Sequence, residues 1–216
     1  MRIDVFSDVV CPWCFVGKHR LDAALAALGM ADAEVHWHAF QLNPDLPPGG
    51  MDRQEYMRQK FGDPGTIAHM HDRVREEGRS AGVDFRFEKI GRSPNTFDAH
   101  RLLYLADTRG KQSALKEALF RAYFLEGRDI GDHTVLAALA AATGVSGDIL
   151  SWLAGDDAAA EVHADLRTAA RLEITGVPFF ILDGRYALAG AQPPEVFVET
   201  LQAARQAQAG SKQPIG

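Results

Sequence analysis

Ile3-Asp4-Val5-Phe6-Ser7-Asp8-Val9-Val10-Cys11-Pro12-Trp13-Cys14-Phe15-Val16-Gly17-Lys18 decides how the rest of the chain is read. Ile3, Val5 and Phe6 form a short β-like run that breaks at Ser7-Asp8. After Cys11 the period changes. Cys14, Lys18, Leu21, Leu25 and Leu28 recur every three or four residues, which is a helical stripe. Lys18 is its one strongly polar member, and its stem can lie along the face. Pro12 suits a first helical position, where its missing N–H costs nothing, and Gly29 suits the residue just past the end. Ala33 to Phe40 then alternates apolar and polar and reads as a second strand. Strand, helix and strand joined this tightly make a βαβ unit, so the two strands should be parallel with a right-handed crossover.

The sequence contains two cysteines, and both fall at the strand-to-helix junction. Only a thiolate attacks a disulfide. Cys11 at the start of a helix faces unpaired N–H groups and the positive end of the dipole, both of which favour S⁻. The expectation is therefore an exposed, acidic Cys11 as nucleophile and a shielded Cys14, one turn deeper, as resolving thiol. A structural zinc site would want four ligands, and there is no second cysteine pair to supply them. An inert core pair is the remaining bland reading. His36-x-His38 and His69-x-His71 lack neighbouring acids in suitable register, so no metal is expected.

Asn43 to Gly50 is a loop by composition, and the chain beyond it is mostly helical. Helices are expected at Arg53 to Phe61 and Thr66 to Ala81, and an extended segment at Asp84 to Ile90. A helix should start at Ser93-Pro94, with Phe97, Arg101, Leu102, Leu105 and Ala106 inward. Lys111 to Leu125 should present Leu115, Leu119, Ala122 and Tyr123 on one face, with Phe120 and Phe124 in the core. Further helices are expected from Asp132 to Thr143, from Ser146 to Leu153, and from Asp156-Asp157 to Glu173. Val177 to Leu182 is an apolar strand run, Asp183-Gly184 a hairpin signal, and Arg185 to Ala189 the returning strand. Pro193-Pro194-Glu195 opens a last helix with Phe197, Val198, Leu201 and Ala204 as its apolar face.

Without the helical block, this order is that of a thioredoxin fold. The expected architecture is α/β, with a mixed sheet and a large all-helical insertion. Residues 1–42 and 156–210 form the thioredoxin-fold domain, 43–155 an insertion with its own small core, and 211–216 a flexible tail.

The 216 residues are 46% hydrophobic and 24% charged, an ordinary globular balance, and the net charge of −6 argues against a general nucleic-acid binder. No apolar run approaches the roughly 20 residues of a membrane span. Asp4 and Asp8 fall where a secretory leader needs an apolar core, so a cytoplasmic chain is expected.

Thr175-Gly176-Val177-Pro178 is the second stretch of interest. A cis Pro178 would turn the Val177 backbone toward an extended substrate beside Cys11. A trans proline that merely opens a strand fits the local residues equally well.

Cys-Pro-Trp-Cys behind the first strand, Val-Pro before a late hairpin, and a helical insertion between them resemble the DsbA-like thioredoxin superfamily. The similarity is greatest to its cytosolic FrnE-like branch, related to the 2-hydroxychromene-2-carboxylate isomerases and kappa-class glutathione transferases. Ser93-Pro94-Asn95-Thr96-Phe97-Asp98-Ala99-His100-Arg101-Leu102 and Ala118-Leu119-Phe120-Arg121-Ala122-Tyr123-Phe124 resemble that branch's insertion. The resemblance implies dithiol–disulfide exchange, with Cys11 and Cys14 as redox pair and Pro178 as cis-proline. Pro12, Trp13, Thr175, Val177, Asn95 and His100 are candidates to line or support the cleft, with helix capping the competing role for Asn95 and His100. Substrates would be disulfide- or thiol-bearing proteins or small molecules, with no bound cofactor required and glutathione a candidate co-substrate. A monomer and a homodimer are both compatible. The isomerase and kappa branches carry Ser where this chain has Cys11, and thioredoxins carry a buried acid where it has Val5. A proton acceptor for Cys14 must therefore come from elsewhere. A glutathione-dependent isomerase or transferase of aromatic small molecules is the second reading, and a thioredoxin-fold binding module the third.

Overall fold

The computed structural model describes residues 1–210, so the tail expected to be flexible at 211–216 lies outside the described residues. The chain runs through β1 (Arg2–Ser7), α1 (Pro12–Ala27) and β2 (Glu34–Ala39). The insertion comes next: β3 (Met51–Asp52), α2 (Arg53–Phe61), α3 (Pro64–Ser80), a 3₁₀ turn at Phe87–Lys89, β4 (Arg92–Ser93), α4 (Phe97–Asp107), α5 (Gln112–Phe124), α6 (His133–Ala142) and α7 (Ile149–Ala154). The chain closes with α8 (Ala159–Arg171), β5 (Phe179–Leu182), β6 (Tyr186–Ala189) and α9 (Pro194–Gly210).

The main sheet has the order β2-β1-β5-β6. β1 and β2 are parallel with Ile3 opposite Val35, as the βαβ reading requires. β5 runs antiparallel to β1, and β6 antiparallel to β5. Asp183 and Gly184 both have positive φ (50° and 66°), the geometry of a type I′ hairpin turn. Strand alternation sorts the core. Ile3, Val5 and Phe180 point to a face covered by Leu21 of α1 and by Phe197 and Leu201 of α9. Phe6 points the other way, to Ala169 of α8 and Ile174.

The insertion does not close on a core of its own. Cys14, Phe15 and Val16 from the first turn of α1 belong to the same buried cluster as Leu102, Leu119, Phe120 and Phe124. Phe15 stacks on Phe120 with centroids 5.0 Å apart. The helical block is thus packed directly onto the helix that carries the cysteines. It is also not wholly helical, because β3 and β4 pair as two short antiparallel segments.

Three boundaries differ from the sequence reading. Asp84 to Ile90, expected to be extended, contains the 3₁₀ turn at Phe87–Lys89; Phe85 and Phe87 stack on each other at 5.1 Å, while the Arg86 N–H donates to the Phe124 carbonyl at 2.9 Å. The helix expected at Ser93 begins at Phe97, because Ser93 is engaged opposite Met51 and the Asn95 Oδ1 accepts the Phe97 N–H at 2.9 Å. α8 begins at Ala159 rather than Asp156, after Ala158 in the left-handed region (φ 60°).

Candidate active site

Cys11 is the residue that caps α1. Its backbone is extended (φ −91°, ψ 113°), and its carbonyl accepts the N–H groups of Cys14 and Phe15 at 3.0 and 3.4 Å. Pro12 occupies the first helical turn, so the chain turns from β1 into α1 with no N–H wasted. Both cysteines are free thiols in the structure. Cys14 is completely buried, as a residue one turn down the packed face must be. Cys11 is only 4% exposed, which corrects the expectation of an exposed nucleophile. It opens into a cavity of about 310 Å3 roofed by α2 and α3.

The Val177–Pro178 bond is cis. The Cys11 Sγ–H donates to the Val177 carbonyl at 3.5 Å, so the two stretches singled out in the sequence meet here. A Cβ on Gly17 would come within 2.9 Å of Pro178 Cγ, so α1 approaches the proline as closely as it does because residue 17 has no side chain.

The polar groups behind the cysteines were mostly invisible in the sequence. Asp8 is fully buried; one carboxylate oxygen accepts the Leu42 N–H at 2.8 Å and the other pairs with His100 Nε2 at 3.3 Å. Lys116 is fully buried as well. Its Nζ donates to the Ser7 carbonyl at 3.4 Å and lies 5.4 and 5.2 Å from the ring centroids of Trp37 and Phe120. Burial pushes Lys116 down to about 8, although the charges of Cys14, Asp8 and Cys11 pull it up. Lys116 is therefore a buried titratable group whose charge is coupled to that of the buried thiol, where Val5 offers none. The one sequence signal was a lysine at helical spacing from Leu119, Phe120 and Tyr123, on the inward face of α5.

Cys11 is held well above the ordinary thiol range. Its hydrogen bond with Cys14 is the first cause, followed by burial and by the charges of Cys14 and Asp8; the Cys14 N–H pulls the other way. The acidic Cys11 expected from a helix terminus is therefore not found in the paired dithiol. Two thiols this close lose their protons in separate steps, and the second loss is the costly one.

Pro12, Trp13 and Val177 line the cavity; Thr175, Asn95 and His100 do not. Thr175 is exposed. Asn95 ties loops together, donating to the Leu46 carbonyl at 2.6 Å while its Oδ1 accepts from Gln41 and Phe97. His100 is buried behind the cysteines against Asp8. Capping and support, not lining, are thus the positions of Asn95 and His100. Phe120 and Phe124 lie in the shared core.

Residues 2–202 match the DSBA-like thioredoxin domain. The chain belongs to that family. A crystal structure of a probable DsbA oxidoreductase from Streptomyces coelicolor is 36% identical, with a TM-score of 0.87 over 100% of this chain and 93% of that one. The uncharacterized protein YwbO of Bacillus subtilis (strain 168) is 29% identical over 207 residues, covering 93% of this chain and 96% of that protein. The cytosolic disulfide reductase DsbM from Pseudomonas aeruginosa, solved with GSH, shares the fold at 22% identity and a TM-score of 0.66, over 95% of this chain and 100% of that one. This DSBA-like chain is thus a member of a thiol oxidoreductase family. Among the described residues, no helix is long and apolar enough to cross a membrane.

Proposed function

We propose that this chain is a cytoplasmic thiol–disulfide oxidoreductase working through Cys11 and Cys14. The observation that carries the reading is the stacking order at the head of α1. Cys11 borders the cavity beside the Val177 carbonyl, and Cys14 lies beneath it, within reach of Cys11 but of nothing outside. In the reducing direction Cys11, protonated at rest, first loses its proton to water, and the thiolate attacks one sulfur of a substrate disulfide. The substrate S–S bond breaks, one thiolate leaves and takes up a proton, and a mixed disulfide forms. Cys14 gives its proton to the fraction of Lys116 that is neutral, which burial enlarges by holding the group near 8, and attacks Cys11 Sγ. The second substrate thiolate leaves, and the two electrons lost by the cysteines have passed to the substrate. The reverse sequence oxidises a dithiol, and glutathione serves as a co-substrate that resets the pair. In this reading residues 1–42 and 156–210 carry the redox pair and the cis-proline, and residues 43–155 cover them and supply Lys116.

Trapping tests the assignment. Cys14→Ala leaves an attacking thiol but removes the intramolecular escape route, whose effective concentration is high. Adducts that dissolve with reductant should accumulate in that variant and be nearly absent in Cys11→Ala. Full turnover by Cys14→Ala, with no adducts, would instead indicate a glutathione-dependent isomerase or transferase.

A further inference from the structure

The cavity above Cys11 has a one-sided polar lining. Its walls are mainly apolar and aromatic, from Trp13, Tyr56, Met57, Phe61 and Phe87. Two cations line it, Arg53 and Lys60, and no aspartate or glutamate does. Arg53 donates to Ser93 Oγ at 3.2 Å and to the Tyr123 hydroxyl at 3.4 Å; Lys60 donates to Asn43 Oδ1 and to the Leu42 carbonyl at 3.4 Å. Among the described residues neither forms an ion pair, whereas Arg20, Arg58, Arg75 and Arg101 all do. In a chain of net charge −6 that is a local excess of positive charge around one apolar space.

A third feature points inward. His71 lines the same cavity and stacks on Phe87 with centroids 4.3 Å apart. Its Nε2 is buried and has no hydrogen-bond partner among the described residues. A buried nitrogen without a partner costs free energy, which a bound ligand with a matching polar atom would recover. Finally, a volume of about 310 Å3 is at the small end of the roughly 300–1,000 Å3 that ligand pockets span.

We infer that the cavity selects a low-molecular-weight disulfide with an apolar, ring-bearing body and an anionic end, in preference to a protein disulfide. The inference rests on the exchange reading above and adds what the site accepts. The ring packs against Trp13, Tyr56 and Phe87, the anion is held by Arg53 and Lys60, and the disulfide sulfur meets Cys11. The covalent step is the one already described: Cys11 Sγ bonds to one substrate sulfur, the S–S bond breaks, and the departing aromatic thiolate carries the electron pair.

The test compares two aromatic disulfides on the reduced chain, the dianionic 5,5′-dithiobis(2-nitrobenzoate) and the neutral 4,4′-dithiodipyridine. Each rate is divided by that of 2-mercaptoethanol with the same reagent, which removes intrinsic reactivity. The wild-type normalised ratio should favour the dianion about tenfold at low salt and shrink as salt is added. It should fall several-fold in Arg53→Gln and in Lys60→Gln and be restored by Arg53→Lys. Lys60 is exposed, so its variant keeps the test valid should Arg53→Gln fold poorly. A wild-type ratio near one, or an unchanged ratio in both variants, overturns the inference and leaves the exchange reading intact. Oxidised glutathione reacting as fast as the aromatic dianion overturns the ring-bearing part, and insulin disulfides reduced as fast overturn the small-molecule part. If no reagent oxidises the Cys11–Cys14 pair, the exchange reading fails and the selectivity fails with it.

Discussion

An ammonium that reaches no water must be compensated from inside, and Lys116 has a single carbonyl contact at 3.4 Å and two aromatic faces. The negative charges of Asp8 and the cysteines offset only part of the burial, which is why the group sits near 8. A lysine whose folded pKa is lowered destabilises the fold wherever it is charged. The cost is fully present below about 8 and disappears as pH rises toward the ordinary lysine value. Lys116→Met keeps the unbranched stem and removes the charge, so it should raise stability by roughly 1–3 kcal/mol at neutral pH, with the gain shrinking at higher pH. Urea midpoints at neutral and alkaline pH measure this. The same variant should slow release of the second substrate thiol on the order of a hundredfold, because Cys14 loses its proton acceptor. A destabilised Lys116→Met with normal second-thiol release would remove Lys116 from the mechanism. In Cys14→Ala the hydrogen bond that is the first cause raising Cys11 and the charge of Cys14 disappear, while burial, Asp8 and the helix terminus remain, so its alkylation midpoint should move down relative to wild type. Spacing and a change of period made the cysteines legible. Asp8 and Lys116 were not, because each is made chemical by burial under an insertion whose packing no local pattern encodes.

α1 shows the same limit at the scale of an element. By helix propensity alone, Gly17 is a weak point that alanine should improve by about 1 kcal/mol. The tertiary contact reverses the sign. An added Cβ would lie 2.9 Å from Pro178 Cγ and 3.2 Å from Phe180 Cζ, so either α1 or the proline segment must move. Gly17→Ala should cost about 1–3 kcal/mol and shift the Val177 carbonyl from Cys11, lowering the exchange rate as well. Gly49→Ala, where nothing lies within 4 Å of the added atom, is the neutral control. Thermal melts and exchange rates of the two variants check this; a Gly17→Ala protein at least as stable and as fast as wild type would show that the contact is slack. The βαβ start and the β5–β6 hairpin were readable because their signals are local: a period switch, a helix-ending glycine, and Asp183-Gly184 at positive φ. The segment around Phe85 and Phe87 misled for the opposite reason. Its extended reading missed the 3₁₀ turn at Phe87–Lys89, where Phe85 and Phe87 pack on α5 and on each other, contacts that no local pattern encodes.

At the scale of the whole molecule, the two parts of the chain are joined by a second, half-buried polar cluster away from the cysteines. His38 on β2 is held between Asp4 of β1 and Asp165 of α8, each at 2.8 Å. Asp165 also accepts the Ala39 N–H at 2.7 Å and the hydroxyl of Tyr104, which lies on α4 in the insertion. Burial draws the His38 pKa down, but the hydrogen bond and charge of Asp165, and then those of Asp4, outweigh it and leave it raised. A histidine raised in the folded state contributes stability that is complete below its unfolded pKa and is lost as pH rises through the folded value. Asp4 is lowered overall, despite burial, by its bonds to Arg2 and His38, so its contribution is lost on the acid side, as pH falls. The clamp should therefore weaken from both directions and be tightest in mild acid. Across pH 5.5 to 8, loss of the His38 contribution should lower stability by roughly 1 kcal/mol. His71, pushed down to about 4 by burial, acts in the opposite sense, so the His38 effect is the difference between the wild-type and His38→Gln slopes. His19, raised chiefly by Glu117, adds to the same trend. Lys116 acts in the opposite sense only above about 8, so this window separates them. His38→Gln should flatten the slope while lowering the plateau in mild acid, and urea titrations at the two ends of the window read both effects. Identical slopes in the variant and the wild type would mean that His38 is neutral between its carboxylates and that the clamp holds by hydrogen bonds alone.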